Sequence, residues 1–351
     1  MRRMMLSVVV LALLGAFCWG QVEAPAPPKE LTCPVDGLKF AFPPFEPGDR
    51  AGGSDSDMCP HDIQGQTLPG LVVVCPRCNF TASLNDFENP LKPEQRQAEL
   101  KVLASSKYRG VTDTLTEIPS WDRFVLAARC ASVLPDPAGM EAEYYKYAGW
   151  CARIQATRPA TVAYGQLSPL AVDDAVKMIQ EKTQEAETKP EKARQQLYLA
   201  MIYERAGYAA RRDAGVAELE KEAGSDAALK DKIDDFKRLV GIERGFQEKF
   251  LELARKRLEK TTNRDERMSI EYVVADTERR LGKDAEALAD YRIARKLMID
   301  PVRSRMLRSL TDHFLSMLAP GEPVPIPEET PEPKPTAETP APETPKPEEK
   351  K

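Results

Sequence analysis

Histidine is almost absent from this 351-residue chain, which contains only His61 and His313. The sequence also lacks an H-E-x-x-H metalloprotease motif, a nucleophile elbow, a phosphate loop and a dinucleotide-binding glycine fingerprint. Most histidine-based catalysis is thereby excluded, and no catalytic residue is predicted. The many acidic side chains recur on helical faces beside Lys and Arg, a pattern typical of solvated ion pairs rather than of an acid–base pair.

An excess of charge of one sign is also lacking. The chain has 50 basic and 55 acidic side chains, so its formal net charge is only -5. A nearly neutral body has no field that gathers nucleic acid, and no nucleic-acid partner is predicted. Aromatic residues are sparse at 7%, but a hydrophobic content of 42% is enough for the cores of one or two medium domains.

The two ends of the chain read as segments outside the folded body. Residues 1–20 place Arg2 and Arg3 before an apolar run that ends in Gly20, which predicts a secretory signal and a periplasmic or extracellular location. The apolar run is also at the short limit for an uncleaved membrane anchor, and Cys18 is a candidate for lipidation; only these alternatives imply a membrane. Residues 21–30 are predicted to be a linker, and the Pro-, Glu- and Lys-rich residues 319–351 a disordered tail.

A cluster of cysteines marks a small module predicted over residues 31–88. Its second half, Cys75-Pro-Arg-Cys78, follows the apolar run Leu71 to Val74, which reads as a strand entering a knuckle. The tight turn of a knuckle aims two sulfurs at one metal ion, and Asn79 tolerates the left-handed backbone that the turn needs.

The first half of the module has the same outline but one thiol fewer. In Cys33-Pro-Val-Asp36, the aspartate stands where a second cysteine would complete a paired-knuckle zinc ribbon. Tetrahedral zinc needs four ligands and prefers sulfur, so Cys59 is the favoured replacement, with Asp36 or His61 as the alternative fourth ligand. The predicted site is a structural zinc held by Cys33, Cys59, Cys75 and Cys78.

Three segments carry a resemblance to a known family: CPVDGLKF from Cys33, SDSDMCP ending at Pro60, and VVVCPRCNFTASLNDF from Val72. Together they resemble a bacterial family of unknown function with Cys-Pro-x-Cys knuckles, an intervening Asp-x-Cys segment and a helical, tetratricopeptide-like remainder. The resemblance implies zinc binding without a known activity. Asp36 departs from the paired cysteines of the family's first knuckle, which leaves the ligand set open.

Disulfide chemistry is the competing interpretation of the same cysteines. Export would place the thiols in an oxidising compartment, where disulfide frameworks are common. A disulfide between Cys75 and Cys78 would usually be redox-active, so a thiol-redox or metal-handling protein is the alternative function. A thiol–disulfide enzyme would place this pair at a helix start within a βαβ pattern, and no such pattern follows Phe80.

From Lys92 onward the hydrophobic periodicity is helical. The sequence therefore predicts a mostly α fold, in which a small zinc-ribbon-like β module precedes a helical-hairpin, tetratricopeptide-like domain over residues 92–318. Ser120 is predicted to cap a helix that ends before Pro135, and the apolar stripe that follows predicts an antiparallel partner helix. Cys130 and Cys151 can face one another across this hairpin, either as buried free thiols or as a disulfide.

Gly207, Gly245 and Gly282 are 38 and 37 residues apart and mark the turns of the predicted repeats. The alternative at Gly245 is one long bent helix over residues 227–259. The charged runs at 211–212 and 255–257 are predicted to be solvated helix surface. Stacked helical hairpins expose a concave surface that binds an extended segment. In the alternative, a compact helical domain, the apolar faces of the helices would serve only to form the core. The sequence thus predicts an exported, non-enzymatic zinc-binding scaffold for protein or peptide partners in the cell envelope.

Overall fold

The computed structural model describes residues 28–43, 48–111, 113–134, 137–224 and 226–326. The predicted signal, most of the predicted linker and most of the predicted tail lie outside these residues. The described chain is mostly helical and begins with two small antiparallel sheets, which confirms the predicted fold class at this level. Among the helices of these residues, none combines the length and apolar character that crossing a membrane requires.

Each of the two sheets is a single pair of strands. The strands are β1 Lys29–Thr32 with β2 Lys39–Phe42, and β3 Val72–Val74 with β4 Thr81–Ser83. In the first pair Leu31 lies opposite Phe40, and in the second Val73 lies opposite Ala82. All three residues of β3 are buried, so the strand predicted before Cys75 is confirmed. In both pairs, the turn that joins the strands carries one of the two predicted knuckles.

Aromatic packing joins the two sheets. Phe87 is fully buried on the short helix α1 Leu84–Glu88, and its ring centroid lies 5.7 Å from that of Phe40 and 5.4 Å from that of Phe80. Ser83 begins this helix by accepting a hydrogen bond from the backbone N–H of Asp86. Residues of both sheets and of this helix therefore share one apolar core.

Ten helices follow in the described part of the chain. They are α2 Pro93–Leu103, α3 Ser120–Ala131, α4 Pro137–Tyr164, α5 Val172–Glu185, α6 Lys189–Ala206, α7 Ala209–Ala223, α8 Ala227–Leu258, α9 Arg264–Arg280, α10 Asp284–Leu297 and α11 Arg305–Leu318. The long helices α4 and α8 share the most extensive contact. At this crossing, a Cβ atom at Gly149 of α4 would lie 3.7 Å from the Cβ of Phe246 on α8, which is an ordinary van der Waals contact.

The predicted hairpin of α3 and α4 is present, with two differences in detail. Ser120 is the first residue of α3 rather than its cap, because Pro119 occupies the capping position. Cys130 and Cys151 are both buried free thiols, but they belong to different apolar clusters. They therefore do not form the facing pair that the sequence suggested.

The turns predicted at Gly207 and Gly282 are also present. Both glycines have left-handed backbone, with φ of 73° and 77°, and they separate α6 from α7 and α9 from α10. Gly245 lies inside α8, a single helix of 32 residues, as the alternative interpretation had it. The regular spacing of three turns is thus not kept.

Residues 52–62, named here the buried loop, leave the sheet region and enter the helical body. A Cβ atom at Gly52 would lie 2.6 Å from a methyl carbon of Thr161 on α4, and one at Gly53 would lie 2.6 Å from the carbonyl oxygen of Leu167. Asp55 and Ser56 are each only 2% exposed. Residues of the predicted N-terminal module therefore form part of the core of the helical body.

Candidate metal centre

The turn between β1 and β2 folds into a knuckle around Cys33. The backbone N–H of Gly37 donates to the carbonyl oxygen of Cys33 at 2.9 Å, and the N–H of Cys33 donates to the carbonyl oxygen of Leu38 at 2.9 Å. Gly37 has a φ of 74°, a left-handed conformation that glycine adopts without a steric penalty. These bonds curl the chain so that the side chains of Cys33 and Asp36 face the same point.

The turn between β3 and β4 repeats this hydrogen-bond pattern. The N–H of Asn79 donates to the carbonyl oxygen of Cys75 at 3.0 Å, and the N–H of Cys75 donates to that of Phe80 at 2.9 Å. Asn79 has a φ of 63°, as the sequence predicted for this position. The two turns are therefore matched knuckles, in which Asp36 occupies the position of Cys78.

The matched knuckles meet and bring four side chains together. The ligand atoms of Cys33, Asp36, Cys75 and Cys78 all lie within 4.8 Å of one another. The sulfurs of Cys33 and Cys78 are 3.6 Å apart, and that of Cys75 lies 3.8 Å from both carboxylate oxygens of Asp36. Cys33 and Cys75 face the core, whereas Asp36 and Cys78 are partly exposed.

The charges of this group favour a cation. Burial opposes ionisation of Asp36, but hydrogen bonds from the Arg77 side chain and the Leu38 N–H hold its pKa at about 2. Hydrogen bonds from Cys33 and Cys78 lower the pKa of Cys75 to about 3, and the same hydrogen bond with Cys75 raises that of Cys33 to about 12. The group thus combines an ionised carboxylate with a thiol whose ionisation is favoured, and both attract a positive ion.

The donor set fits zinc. Tetrahedral zinc with Zn–S bonds of about 2.3 Å places two sulfurs about 3.8 Å apart, close to the separation of Cys33 and Cys78. Three sulfurs and one carboxylate oxygen suit zinc, whereas magnesium and calcium take oxygen ligands. The structure therefore provides a cluster able to hold one such ion.

Cys59 and His61 are not in this cluster. Both lie in the buried loop, where their ligand atoms and those of Asp55 form a separate group within 4.8 Å. The structure thus brings together three of the four cysteines in the predicted set, and it places Asp36, the alternative ligand, beside them. The cause is the path of the chain, which carries Cys59 away from the knuckles and into the helical body.

The group of Asp55, Cys59 and His61 is a poor metal site. Asp55 already contacts three nitrogens: His61 Nε2 at 2.8 Å, Arg153 Nη1 at 3.1 Å and Arg205 Nε at 3.1 Å. A metal ion here would face two buried guanidinium groups. Burial raises the pKa of the Cys59 thiol and lowers that of His61, so both are neutral at pH 7.

The comparisons with known proteins give a family. The family model described as "Uncharacterized protein conserved in bacteria (DUF2225)" matches residues 28–298. The chain belongs to this family. The matched residues include both knuckles, the buried loop and the helices from α1 to α10, and the expected likeness to a bacterial family of unknown function is confirmed. No curated protein and no solved structure matches the chain.

The sequence did not reveal a buried network of ion pairs around the loop of this DUF2225 chain. On one side, Arg153 of α4 contacts Asp55 at 3.1 Å, Asp57 at 2.9 Å and Glu243 of α8 at 2.6 Å. Arg205 of α6 contacts Asp55 and also donates to the carbonyl oxygen of Gly52 at 2.7 Å.

The other side of the network is built from α9. Arg279 and Arg280 each pair with Asp276 at 2.8 Å, and each donates to the Ser56 hydroxyl, at 3.0 and 2.9 Å respectively. That hydroxyl in turn donates to Asp276, which also accepts a hydrogen bond from Tyr291 at 2.8 Å. The loop is thus fixed through charged groups from three helices.

The prediction that the charged runs at 211–212 and 255–257 are solvated helix surface is only partly correct. The side chains of Arg211 and Lys256 are more than half exposed, as expected. Arg212 is instead 3% exposed and pairs with Glu204. Asp276, Arg279 and Arg280 have the i, i+3 and i+4 spacing of a solvated ion-pair face, so their burial has no signature in the pattern.

Proposed function

We propose that this chain is an exported, non-enzymatic scaffold whose N-terminal module is stabilised by a structural zinc ion at Cys33, Asp36, Cys75 and Cys78. The observation that supports it best is the pair of matched knuckles, which converge three thiols and one carboxylate from two separate turns. Four protein ligands leave zinc no open position for water or substrate, so the ion would stabilise the fold rather than catalyse a reaction.

Zinc would act as a crosslink between two weak hairpins. The pairs β1–β2 and β3–β4 contain strands of only three or four residues, and isolated hairpins of this size are marginal in water. An ion shared by Cys33 and Cys75 would also close the chain that runs between them, which includes the buried loop. Closing that segment lowers the entropy of the unfolded chain and favours the docked loop.

The helical body would supply the partner surface. Its interior is filled by the buried loop, but an open groove of about 460 Å³ lies between α4, α6 and α8. Leu197, Tyr198 and Leu229 line it with apolar surface, and Arg194 and Asp235 add charges of both signs. The proposed occupant is an extended segment of an envelope protein that carries an apolar side chain between charged neighbours. Tetratricopeptide-like hairpins and export through residues 1–20 are parts of the same proposal.

Metal analysis of the purified mature chain, combined with thiol titration, tests the zinc proposal. About one tightly held zinc per chain, with Cys75 and Cys78 unreactive until a chelator is added, is the expected result. A metal-free chain that is fully folded, with these sulfurs joined in disulfides, would contradict it.

One distance favours a second candidate function, a thiol-redox role. The sulfurs of Cys33 and Cys78 are 3.6 Å apart, so a small movement would let them form a disulfide across the two knuckles. Cys75 and Cys78 lie in a turn between strands rather than at a helix start, which disfavours an exchange enzyme. The same thiol titration separates the two proposals, because the redox role requires a reducible disulfide without metal.

Crosslinking tests the groove. A photoreactive amino acid at Leu229 should capture a defined envelope protein, and Tyr198→Asp should abolish the capture. The matched control places the same amino acid at Met178, which is exposed on α5 outside the groove lining. Equal capture from both positions would contradict a specific groove.

A further inference from the structure

A recess at the start of α3 contains a buried arginine that no carboxylate of the described residues neutralises. The recess has a volume of about 250 Å³ and lies between α3, α4 and residues 62–69, and we name it the α3 recess. Arg123 lines it and is only 4% exposed. Within the described chain its Nε has no hydrogen-bond partner, its Nη1 reaches only the carbonyl oxygen of Pro69 at 3.4 Å, and no ion pair involves it.

An unpaired buried guanidinium is costly, and other buried arginines of this chain avoid that cost. Arg153 and Arg205, for example, each contact Asp55. Burial of Arg123 lowers its pKa, yet an arginine remains charged at pH 7. The positive charge of Arg123 therefore lacks the partner that buried charges require.

A helix N-terminus faces the same recess. Pro119 and Ser120, at the start of the 12-residue helix α3, both line it. Pro119 has no side chain able to accept a hydrogen bond, so the first amide groups of α3 lack a side-chain cap. The first N–H groups of a helix have no partner within the helix, and together with the positive end of the helix dipole they favour an anion at such a position. The acidic residue of the first turn, Asp122, instead contacts Lys107 at 3.2 Å.

The remaining charged groups leave the recess positive. Arg158 also lines it, and its only hydrogen bonds in the described chain are to two carbonyl oxygens at 3.4 Å. Among the described residues that line the recess, Asp62 is the one with an acidic side chain. Its oxygens accept from the N–H groups of Arg50 and Thr67 and from the Thr67 hydroxyl, at 2.6 to 3.1 Å. The recess thus has two cationic groups, one anionic group that is already bound, and a helix terminus.

We infer that the α3 recess binds a phosphate group, held by Arg123, Arg158 and the N-terminal amides of α3. A tetrahedral oxyanion presents several acceptor oxygens, which can contact a guanidinium and backbone N–H groups at the same time. The volume of the recess leaves room for the small organic part of a phosphate monoester as well as for free phosphate. The site is separate from the metal centre, so the inference does not depend on zinc.

Calorimetric titration of the full mature chain with inorganic phosphate, at constant ionic strength, tests the inference. Saturable binding at one site and a phosphate-dependent rise in melting temperature are expected. Arg123→Met should weaken binding at least tenfold, and it should not lower the stability of the phosphate-free chain because it removes an unpaired buried charge. The matched control is Arg96→Met, which removes an exposed arginine of α2 and should leave binding unchanged.

A second variant and a second ligand complete the test. Arg158→Met gives an independent test if Arg123→Met does not fold. Phenyl phosphate in place of inorganic phosphate shows whether the site takes monoesters, and binding of either probe supports a phosphate site. No saturable binding of either probe to the unmodified chain would overturn the inference. Equal binding by Arg123→Met, or equal effects of acetate at the same concentration, would overturn it as well.

Discussion

Replacing Asp276 with asparagine is expected to release the buried loop. This carboxylate pairs with Arg279 and Arg280 at 2.8 Å and accepts hydrogen bonds from Ser56 and Tyr291. Burial opposes ionisation of Asp276, but the two arginines lower its pKa well below the usual value of an aspartate. The side chain is therefore charged at neutral pH. Asparagine keeps the shape of the side chain and removes the charge.

The change in the free energy of loop opening depends on the two arginines that the substitution leaves without a counter-charge. Two guanidinium groups, each less than 5% exposed, would lose their shared counter-charge. Removing one partner of a buried ion pair typically costs about 3 to 5 kcal/mol. Part of this cost is avoided when the loop leaves, because water can then reach Arg279 and Arg280. The free energy of loop opening should therefore fall by about 3 kcal/mol, which raises the open population at least about a hundredfold.

Labelling of the Cys59 thiol, resolved by peptide mass spectrometry, reports this opening. Cys59 is 0% exposed in the docked loop and reacts only when the loop leaves. Its labelling rate should rise at least about a hundredfold in Asp276→Asn. Asp173→Asn is the matched control, because the side chain of Asp173 is 92% exposed. A Cys59 rate that differs less than about twofold between the two variants would refute the role assigned to the network.

Three further predictions concern separate parts of the structure. Glu99 is fully buried, and burial raises its pKa to about 7, so its ionisation costs the folded chain about 3 kcal/mol as pH rises from 4.5 to 7; chemical unfolding should show a loss of stability over this range that is smaller in Glu99→Gln than in the wild type by about that amount. Both Gly207 and Gly282 have positive φ, so replacing either with alanine should cost roughly 1 kcal/mol of stability. Gly207→Ala should be destabilised by more than Gly282→Ala, because only the Cβ at Gly207 would lie 2.7 Å from Arg280. Equal melting temperatures of the two variants would contradict this. Asp36→Cys should keep zinc at least as tightly as the wild type, measured by chelator competition, and its loss would contradict the matched knuckles.

Local patterns in the sequence predicted the local structure well. The strand before Cys75, the left-handed Asn79 and the turn at Gly207 each depend on neighbouring residues, and all are present. Both knuckles share the outline Cys-Pro-x-x followed by a turn residue. That shared outline also places Asp36 at the position of Cys78, whereas the preference of zinc for sulfur pointed to Cys59.

The buried loop could not be predicted in this way. Its contacts join Ser56 to Asp276 across 220 residues, and no local period records such a pairing. Arg279 and Arg280 have the same helical spacing from Asp276 as a solvated ion pair, so composition and periodicity do not distinguish the buried case from the solvated one. Only the tertiary path of the chain decides that Arg153 lies in the core while Arg211 faces water.

The metal content of three purified chains tests the central claim most directly. The wild type and Cys59→Ser should each contain about one zinc per chain, because Cys59 lies in the buried loop away from the knuckles. Cys78→Ser should lose the ion, because the second knuckle then has a single thiol. Loss of zinc from Cys59→Ser with retention in Cys78→Ser would contradict the assignment of the metal centre.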